Sequence, residues 1–417
     1  MIDEHAKYLS STSTSDSIPL QSNCDKATQL SVQYSIPTFL TSLLIKQYTY
    51  KQVEQMCIQM NSPGPITLRR NAIQFSGSDE DLCQYLLDED GINARVCRQL
   101  HEDYQNNKLL ITANSNNRYV VGSSSDNGCI LPPKGALKLL PQQSNNNTTA
   151  VQQRRNHKSV WSMKGWLNGY FEVQDMGSQI IVQSLELTGR ESVLDYCSGN
   201  GGKTFALASV LMSDDNRAQQ HSKVVAHDVV EERLRQIKGS MTRVGFHKVD
   251  GKSNESIFSA NNGDSKCTIQ LCTPLDLETL FTSTSFDAVL VDAPCSSSGV
   301  LRRRPSQRWE LTEIDVCEEL PNLQLEILLK AASFVDQNGG RLVYSTCSLL
   351  EEENESVVKQ FEQTSEGFEP WKFDISNTNN IDGKESDEVS NNMQHTITLL
   401  PSDESDGFFI ARWKRVL

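Results

Sequence analysis

The sequence predicts an α/β fold: a doubly wound, mostly parallel sheet preceded by a small α+β unit. Three observations predict it. From Glu191 onward, strand-like and helix-like stretches alternate. The strand-like stretches SVLDY, VVAHD, TIQLC, FDAVLVDA and GGRLVYSTC are near-continuous apolar, β-branched runs, as strands covered on both faces are. A glycine-rich turn, Gly199-Asn200-Gly201-Gly202, follows the first of them directly and opens a helix.

In chain order, residues 1–33 are rich in Ser and Thr without sustained periodicity and are expected to form a tail. Residues 34–160 are expected to form the small α+β domain. There, IPTFLTSLLIKQYTYKQVEQMCIQM carries apolar residues at helical spacing over two short helices, and Asn61-Ser62-Pro63-Gly64-Pro65 ends them with turn chemistry. ITLRRNAIQF alternates like a strand, and SDEDLCQYLLDEDGI has the acidic start and glycine stop of a helix. Between Asp103 and Ser159, short strand-like runs are separated by polar, low-complexity tracts. Insertions of similar composition at 213–222, 251–266 and 376–392 are assigned to loops, because they hold too little apolar surface to order themselves. Residues 161–417 hold the large domain. Its helices are read in KTFALASVLM, EERLRQIKGSMTRVG, LPNLQLEILLKAASFV and EEENESVVKQFEQ, and a strand, FFIARWKR, closes it. Such a sheet binds its ligand beyond the carboxyl ends of its strands.

Composition narrows the function. The 417 residues suit two or three domains with a core that needs no staples. Charged residues are 22% of the chain and there are 14 Phe, which excludes wholesale disorder. The 11 cysteines form no C-x-x-C pair and have no His at a zinc-ligand spacing, so reduced thiols inside a cell are expected, with no disulfide framework and no metal site. No apolar run approaches the roughly 18 residues of a membrane helix, and the acidic, hydroxyl-rich start resembles neither a secretory signal nor a transit peptide. The expectation is an intracellular protein away from membranes, with nucleolus, nucleus, cytoplasm and organelle all open. A net charge of −14 argues against adhesion of the whole surface to nucleic acid, though not against a local basic groove.

The chemistry concentrates at strand ends. In Asp195-Tyr196-Cys197-Ser198-Gly199-Asn200-Gly201-Gly202-Lys203-Thr204 the glycines let backbone approach a ligand, and the helix start offers free N–H groups. Asp228 ends the second strand, where an acid can accept hydrogen bonds from ribose hydroxyls. An ordinary tight turn would explain the glycines alone; the acid tips the reading toward a nucleoside cofactor. Neither the phosphate-loop spacing nor the dinucleotide fingerprint is met, and S-adenosylmethionine, which has no phosphate, suits the site. Asp292-Ala293-Pro294-Cys295 ends the fourth strand and Ser345-Thr346-Cys347-Ser348 the fifth, so two thiols open onto one cleft. Each cysteine alone reads as an inert core residue; two beside a cofactor loop do not.

These strings resemble the RNA (cytosine-5) methyltransferases of the NOL1/NOP2/sun family, including the bacterial ribosomal-RNA enzymes. FEVQDMGSQ, VLDYCSGNGGKT, DAPCSSSGVLRRRP, STCS and Asp406-Gly407-Phe408-Phe409 match successive motifs of that family, and NSPGPITLRRN is similar to its small preceding domain. The likeness runs from about Ser35 to the end. It implies a Rossmann-like class I methyltransferase sheet with an antiparallel last strand, S-adenosyl-L-methionine as cofactor and RNA as partner, with ribosomal RNA ahead of transfer RNA and no metal; a monomer is expected. Cofactor contacts are implied for Cys197, Ser198, Gly199, Asn200, Gly201, Gly202, Lys203, Asp228 and Asp292. Asn200 stands where the family commonly has proline. The third strand ends Leu271-Cys272-Thr273-Pro274, where the family usually has an acid facing the adenine; Asp276 is the nearest substitute.

By the same resemblance Cys347 attacks carbon 6 of cytosine, Cys295 assists removal of the carbon-5 proton and release of product, and Asp292 hydrogen-bonds the base. Lys203 either helps hold the base or Asp292, or is a solvated first-turn lysine. Arg302, Arg303, Arg304 and Arg308, with Arg154, Arg155 and Lys158, are candidate phosphate contacts, with a solvated face as the plainer reading; Trp309 either stacks on RNA or plugs a core. The target must be unstacked, which favours single-stranded loops and bulges. DAPC is not the Asn/Asp-Pro-Pro-aromatic string of adenine-N6 and glutamine-N5 enzymes, and Pro294-Cys295-Ser296 lacks the glutamine of DNA cytosine enzymes. A non-catalytic RNA-binding assembly factor is the alternative of a different class.

Overall fold

The computed structural model describes residues 23–97, 110–113, 119–122, 133–140, 159–213, 221–249, 256–262, 265–281, 285–373 and 395–416. In chain order its strands are β1 (Thr67–Arg70), β2 (Ala94–Val96), β3 (Leu110–Ala113), β4 (Tyr119–Gly122), β5 (Ala136–Leu139), β6 (Phe171–Val173), β7 (Ser192–Asp195) and β8 (His221–His227). They continue as β9 (His247–Lys248), β10 (Ile257–Asn262), β11 (Ser265–Cys272), β12 (Ala288–Asp292), β13 (Arg341–Thr346), β14 (Phe368–Pro370), β15 (Thr396–Leu399) and β16 (Phe408–Arg415).

The large sheet has the order β3-β4-β15-β16-β13-β12-β7-β8-β11-β10-β9, with β14 alongside β16. Its centre, β13-β12-β7-β8-β11, is parallel, and β16 adds antiparallel beside β13. This is the doubly wound architecture the alternation predicts. Both faces are covered, and the alternation of side chains across the sheet shows how. Val193, Ala288, Leu290 and Val343 face one apolar cluster, while Leu194, Val289, Val291, Leu342 and Tyr344 face another. Each fully buried Val or Leu contributes about 1.5–3 kcal/mol relative to exposure, which is why these strands read as unbroken apolar runs.

The N-terminal part contributes two modules. Three helices, Asn23–Tyr34, Thr38–Gln47 and Tyr50–Met60, bury Leu40, Leu44, Val53 and Met56 against Leu301, Leu349 and Leu350 of the large domain. The third starts at a capping box between Thr49 and Gln52. A four-stranded antiparallel sheet, β2-β5-β1-β6, packs with the helix Asp79–Asp90, which a Ser78–Asp81 capping box opens and left-handed Gly91 closes.

The structure departs from the sequence reading at four places. The helix Asn23–Tyr34 lies inside the stretch read as a tail, and its Ala27 and Leu30 are buried; its one apolar face is too sparse to register as periodicity. Strand β6 lies past residue 160 yet completes the small sheet, whereas the β3–β4 hairpin before it joins the large sheet beside β15. The insertion at 251–266 is not all loop, since β10 and β11 form a hairpin that buries Phe258 and Ala260 at the sheet edge. Asn and Ser on the outward positions hid that alternation. The insertion at 376–392 lies outside the described residues, as does most of that at 213–222.

Where β16 begins, the backbone crosses the turn after Cys295. Gly407 N–H donates to the Gly299 carbonyl and Gly299 N–H to the Cys347 carbonyl, each at 2.9 Å. A Cβ at Gly299 would stand 2.4 Å from the Gly407 carbonyl oxygen. Gly299→Ala is therefore expected to cost at least about 2 kcal/mol of stability, read as a lower denaturation midpoint in urea. An unchanged midpoint would show that this crossing yields.

Candidate active site

At the carboxyl end of β7, Asp195 is fully buried and accepts a 2.7 Å hydrogen bond from Thr204 Oγ1. The turn between them is held by backbone: Ser198 N–H donates to the His227 carbonyl, and Gly201 N–H to that of Ser198. Gly201 sits in the left-handed region at φ 87° as the N-cap of the helix Gly202–Leu211. Asp228 closes the neighbouring strand end. One of its oxygens accepts Gly199 N–H at 2.9 Å and the other Val230 N–H at 2.8 Å. Ser198, Gly199, Gly201, Gly202 and Asp228 thus lie together at the adjoining ends of β7 and β8, with Asn200 exposed and Cys197 half-buried.

Two buried polar atoms here, Asp195 Oδ1 and Ser198 Oγ, have no protein partner. Burial lifts the Asp195 carboxyl to about 7. A cationic ligand group would drive it back to its ionised form. Three acids, Asp195, Asp228 and Asp292, line this place, and the cations beside them, Lys203 and Arg233, are already paired with Asp292 and Asp228. That lining repels phosphates and suits a phosphate-free nucleoside carrying positive charge, so the residues present fit S-adenosylmethionine.

Lys203, on the first turn of the helix, is no solvated side chain. It is 11% exposed and its Nζ lies 2.6 Å from Asp292 Oδ2. Burial disfavours its charge, but the Asp292 carboxylate outweighs this and raises its pKa. Asp292 Oδ1 accepts from Ser345 Oγ at 3.0 Å, because parallel register sets Asp292 of β12 opposite Ser345 of β13. Both carboxylate oxygens are thereby oriented.

The same register brings the two thiols together. Cys295 Sγ and Cys347 Sγ are 3.2 Å apart, and Cys347 N–H points to Cys295 Sγ at 3.3 Å. Their environments separate them. Cys347 is held below the ordinary thiol value by the hydrogen bond from Cys295, against the opposing effect of burial, and Ser297 and Lys203 assist. Cys295 is pushed well above it by that same bond and by burial. Of the two sulfurs, Cys347 is thus the one whose thiolate is favoured. Ser297, 3.5 Å from Cys347 Sγ, has a left-handed backbone at φ 59°, unusual for a residue with a side chain.

Sequence reasoning missed the supporting cast: Ser297, Ser345, Gln324 and Glu353. The repeated hydroxyls of CSSSG and STCS were a signal for the first two. The acidic run after STCSLL hid Glu353 among surface-type residues.

Other expectations are corrected. Asp276 Oδ2 accepts from both the backbone N–H and the hydroxyl of Thr273, so it caps the helix Pro274–Phe281 instead of presenting itself to a purine. Arg302 and Arg308 are not phosphate contacts. The Arg302 side chain is 1% exposed, paired with the equally buried Asp406 and bonded to the Ser402 and Ser405 carbonyls. Arg308 is buried and bonded to Ser35 O, Met60 O and Asn61. Arg303 pairs with Asp406 and Asp175. Their spacing resembled a basic patch, but each finds an internal acceptor. Arg304 stays exposed, as does Trp309 at 67%, which therefore plugs no core. Arg154, Arg155 and Lys158 lie outside the described residues. Among the described residues no cluster of His, Cys, Asp or Glu could hold a metal, and no helix is long and apolar enough to cross a membrane.

Residues 182–414 match the family model described as 16S rRNA methyltransferase RsmB/F. Ribosomal RNA small subunit methyltransferase B of Escherichia coli is 31% identical over 253 residues, which are 61% of this chain and 49% of that protein. The Shigella sonnei protein of the same name aligns over the same shares. The chain thus spans about half the length of the curated relatives it matches. Among solved structures, a methyltransferase homolog protein from Pyrococcus horikoshii superposes with a TM-score of 0.60 at 22% identity, covering 93% of this chain and 98% of that one. NSun6 from the same organism, solved with SFG, gives 0.58 at 20%, covering 91% and 98%. These two share the fold.

Two outcomes are expected from this geometry. Iodoacetamide should modify Cys347 with a pH midpoint below that of an ordinary thiol, and Cys295→Ala should move that midpoint up. Arg302→Ala should cost about 1–3 kcal/mol by stripping the donor from buried Asp406 Oδ1 and from the Ser402 and Ser405 carbonyls while Arg303 keeps the other Asp406 oxygen, read by denaturation, without flattening the salt dependence of any RNA binding.

Proposed function

The chain belongs to the 16S rRNA methyltransferase RsmB/F family, and on that premise we propose that it transfers a methyl group from S-adenosylmethionine to carbon 5 of a cytosine in RNA. Ribosomal RNA is the proposed substrate, because the curated relatives are named for it. The observation that carries the cytosine-5 reading is the contact between Cys295 and Cys347 beside the Lys203–Asp292 pair. Methylation of an exocyclic nitrogen needs no thiol; methylation of a weakly nucleophilic ring carbon needs covalent activation.

Asp228 would hold the ribose hydroxyls, while the unpartnered atoms of Asp195 and Ser198 would meet the methionine end. When bound, S-adenosylmethionine supplies an electrophilic methyl on a positively charged sulfur. The thiolate of Cys347 adds to carbon 6 of the cytosine, and the 5,6 π pair becomes available at carbon 5 to accept the methyl. Asp292, fixed by Lys203 and Ser345, hydrogen-bonds the ring nitrogen and amino group where charge changes. Once Cys347 is bonded to carbon 6, Cys295 loses its own proton to solvent, and the resulting thiolate receives the carbon-5 proton. The electron pair of that C–H bond reforms the double bond, and Cys347 leaves as thiolate. The target cytosine must be out of its stack for this approach.

Cys347→Ala is expected to abolish incorporation of labelled methyl into RNA, whereas Cys295→Ala should accumulate a protein–RNA adduct that survives denaturing gel electrophoresis. Full activity in Cys347→Ala would overturn the assignment. Asp228→Ala should weaken cofactor binding by about tenfold, equivalent to about 1.4 kcal/mol, as measured by calorimetry.

A further inference from the structure

Behind the two sulfurs lies a polar network that the mechanism above does not use. Its centre is Glu353, a 0% exposed carboxyl just before the helix Glu355–Thr364. One oxygen, Oε2, accepts Ser296 N–H at 2.8 Å and Gln324 Nε2 at 3.0 Å. The other, Oε1, accepts Ser348 Oγ at 2.5 Å. Ser296 directly follows Cys295, and Ser348 directly follows Cys347. One carboxylate therefore clasps the chain one residue beyond each thiol, from two loops 57 and 5 positions away. Gln324 also donates to the Pro294 carbonyl at 2.9 Å, and Ser298 and Ser296 reach Ser348 at 3.2 Å. The Glu353 backbone carbonyl is anchored by Tyr344 Oη at 2.7 Å.

We propose that Glu353 is a positioning residue for methyl transfer: it ties the two cysteine loops at contact distance and decides which sulfur ionises. The geometry half follows from the clasp, since three hydrogen bonds to one rigid group fix both loops in one frame. The electrostatic half follows from the partners. All are neutral donors, so the negative charge of Glu353 is uncompensated in a dry site, where Coulomb interactions reach far. Glu353 holds the backbone N–H of the residue after Cys295 and the hydroxyl of the residue after Cys347, while the Lys203 ammonium is closed in an ion pair with Asp292. The bond to Ser296 is to the backbone N–H directly after Cys295, so the uncompensated carboxylate disfavours ionisation of that sulfur. The direction agrees: the Glu353 charge is among the causes that raise Cys295. The titratable groups facing Glu353 are Cys295 and Tyr344. Burial raises the Glu353 pKa, against the pull of the bonds from Ser296 and Ser348.

The role in catalysis rests on the proposed methyl transfer, but its central test does not. Full-length protein is treated with iodoacetamide across a pH series, and carbamidomethylation of each cysteine is mapped by mass spectrometry. In the parent, Cys347 should react about tenfold or more ahead of Cys295, the ratio a one-unit difference in thiol pKa gives. Glu353→Gln preserves shape and removes charge; it should bring the two within about threefold, whereas Glu353→Asp should keep Cys347 ahead. Methylation kinetics of Glu353→Gln should show kcat falling with KM for RNA unchanged. A folded Glu353→Gln protein whose two cysteines keep the parent ratio overturns the proposal, as does a fall in melting temperature with the ratio intact. Should Glu353→Gln not fold, Gln324→Leu strips one donor from the same carboxylate, and the preference for Cys347 should then collapse at a higher pH than in the parent; an unchanged profile counts against it. If the ratio shifts while the parent methylates no RNA, the proposed function fails and the positioning role of Glu353 between the thiols stands.

Discussion

The parallel pairing of β12 with β13 is the constraint on which the site depends. Asp292 faces Ser345 across that ladder, and the residues that continue from each strand end are Cys295 and Cys347. Slipping the register by one residue would turn Asp292 away from Ser345 and carry the thiols to opposite faces. Register in turn is set by the apolar alternation along both strands, with Val289 and Val291 on one face and Ala288 and Leu290 on the other. Core packing and chemistry are thus one specification. The packing side is strongly over-determined, since every misregister would expose several aliphatic side chains at once.

Given that frame, the electrostatics of the pocket follow from what each charge is paired with. Lys203 is committed to Asp292, Arg302 and Arg303 to Asp406, and Asp228 to two backbone amides. The hydrogen bonds to the buried carboxylates of Asp195 and Glu353 come from neutral donors. A crevice with surplus negative potential and a pair of sulfurs at unequal proton affinity is suited to a cationic alkyl donor and a covalent attack.

Much of this was legible in the sequence, for identifiable reasons. The parallel centre was readable because strands covered on both faces are apolar at every position, and the glycine turn and strand-end acids sit at fixed offsets from them. The proximity of Cys295 and Cys347 was readable because they follow adjacent strand ends. What the sequence concealed was partnership. Arg302, Arg303 and Arg308 look like a basic patch until the fold supplies Asp406, Ser35 and Met60 from residues about 100 to 270 positions away. Asp276 looks available until Thr273 claims it. Glu353 looks like one of three surface acids until it is seen closed in between two loops. Strand β10 escaped because polar residues flank it, so its few apolar residues never made a pattern long enough to register.

The crossing of Gly299 and Gly407 ties the reactive loop to the last strand. Arg302 reinforces that tie through Asp406, and Asp175, far earlier in the chain, meets both Arg303 and the Asp406 N–H. Contacts of such sequence separation form late in folding, because loop closure must precede them. A nascent chain emerging from the ribosome can complete the parallel centre of the sheet while the loop around Cys295 still lacks its clamp. The clamp on the Cys295 loop is therefore complete only once the final strand has docked.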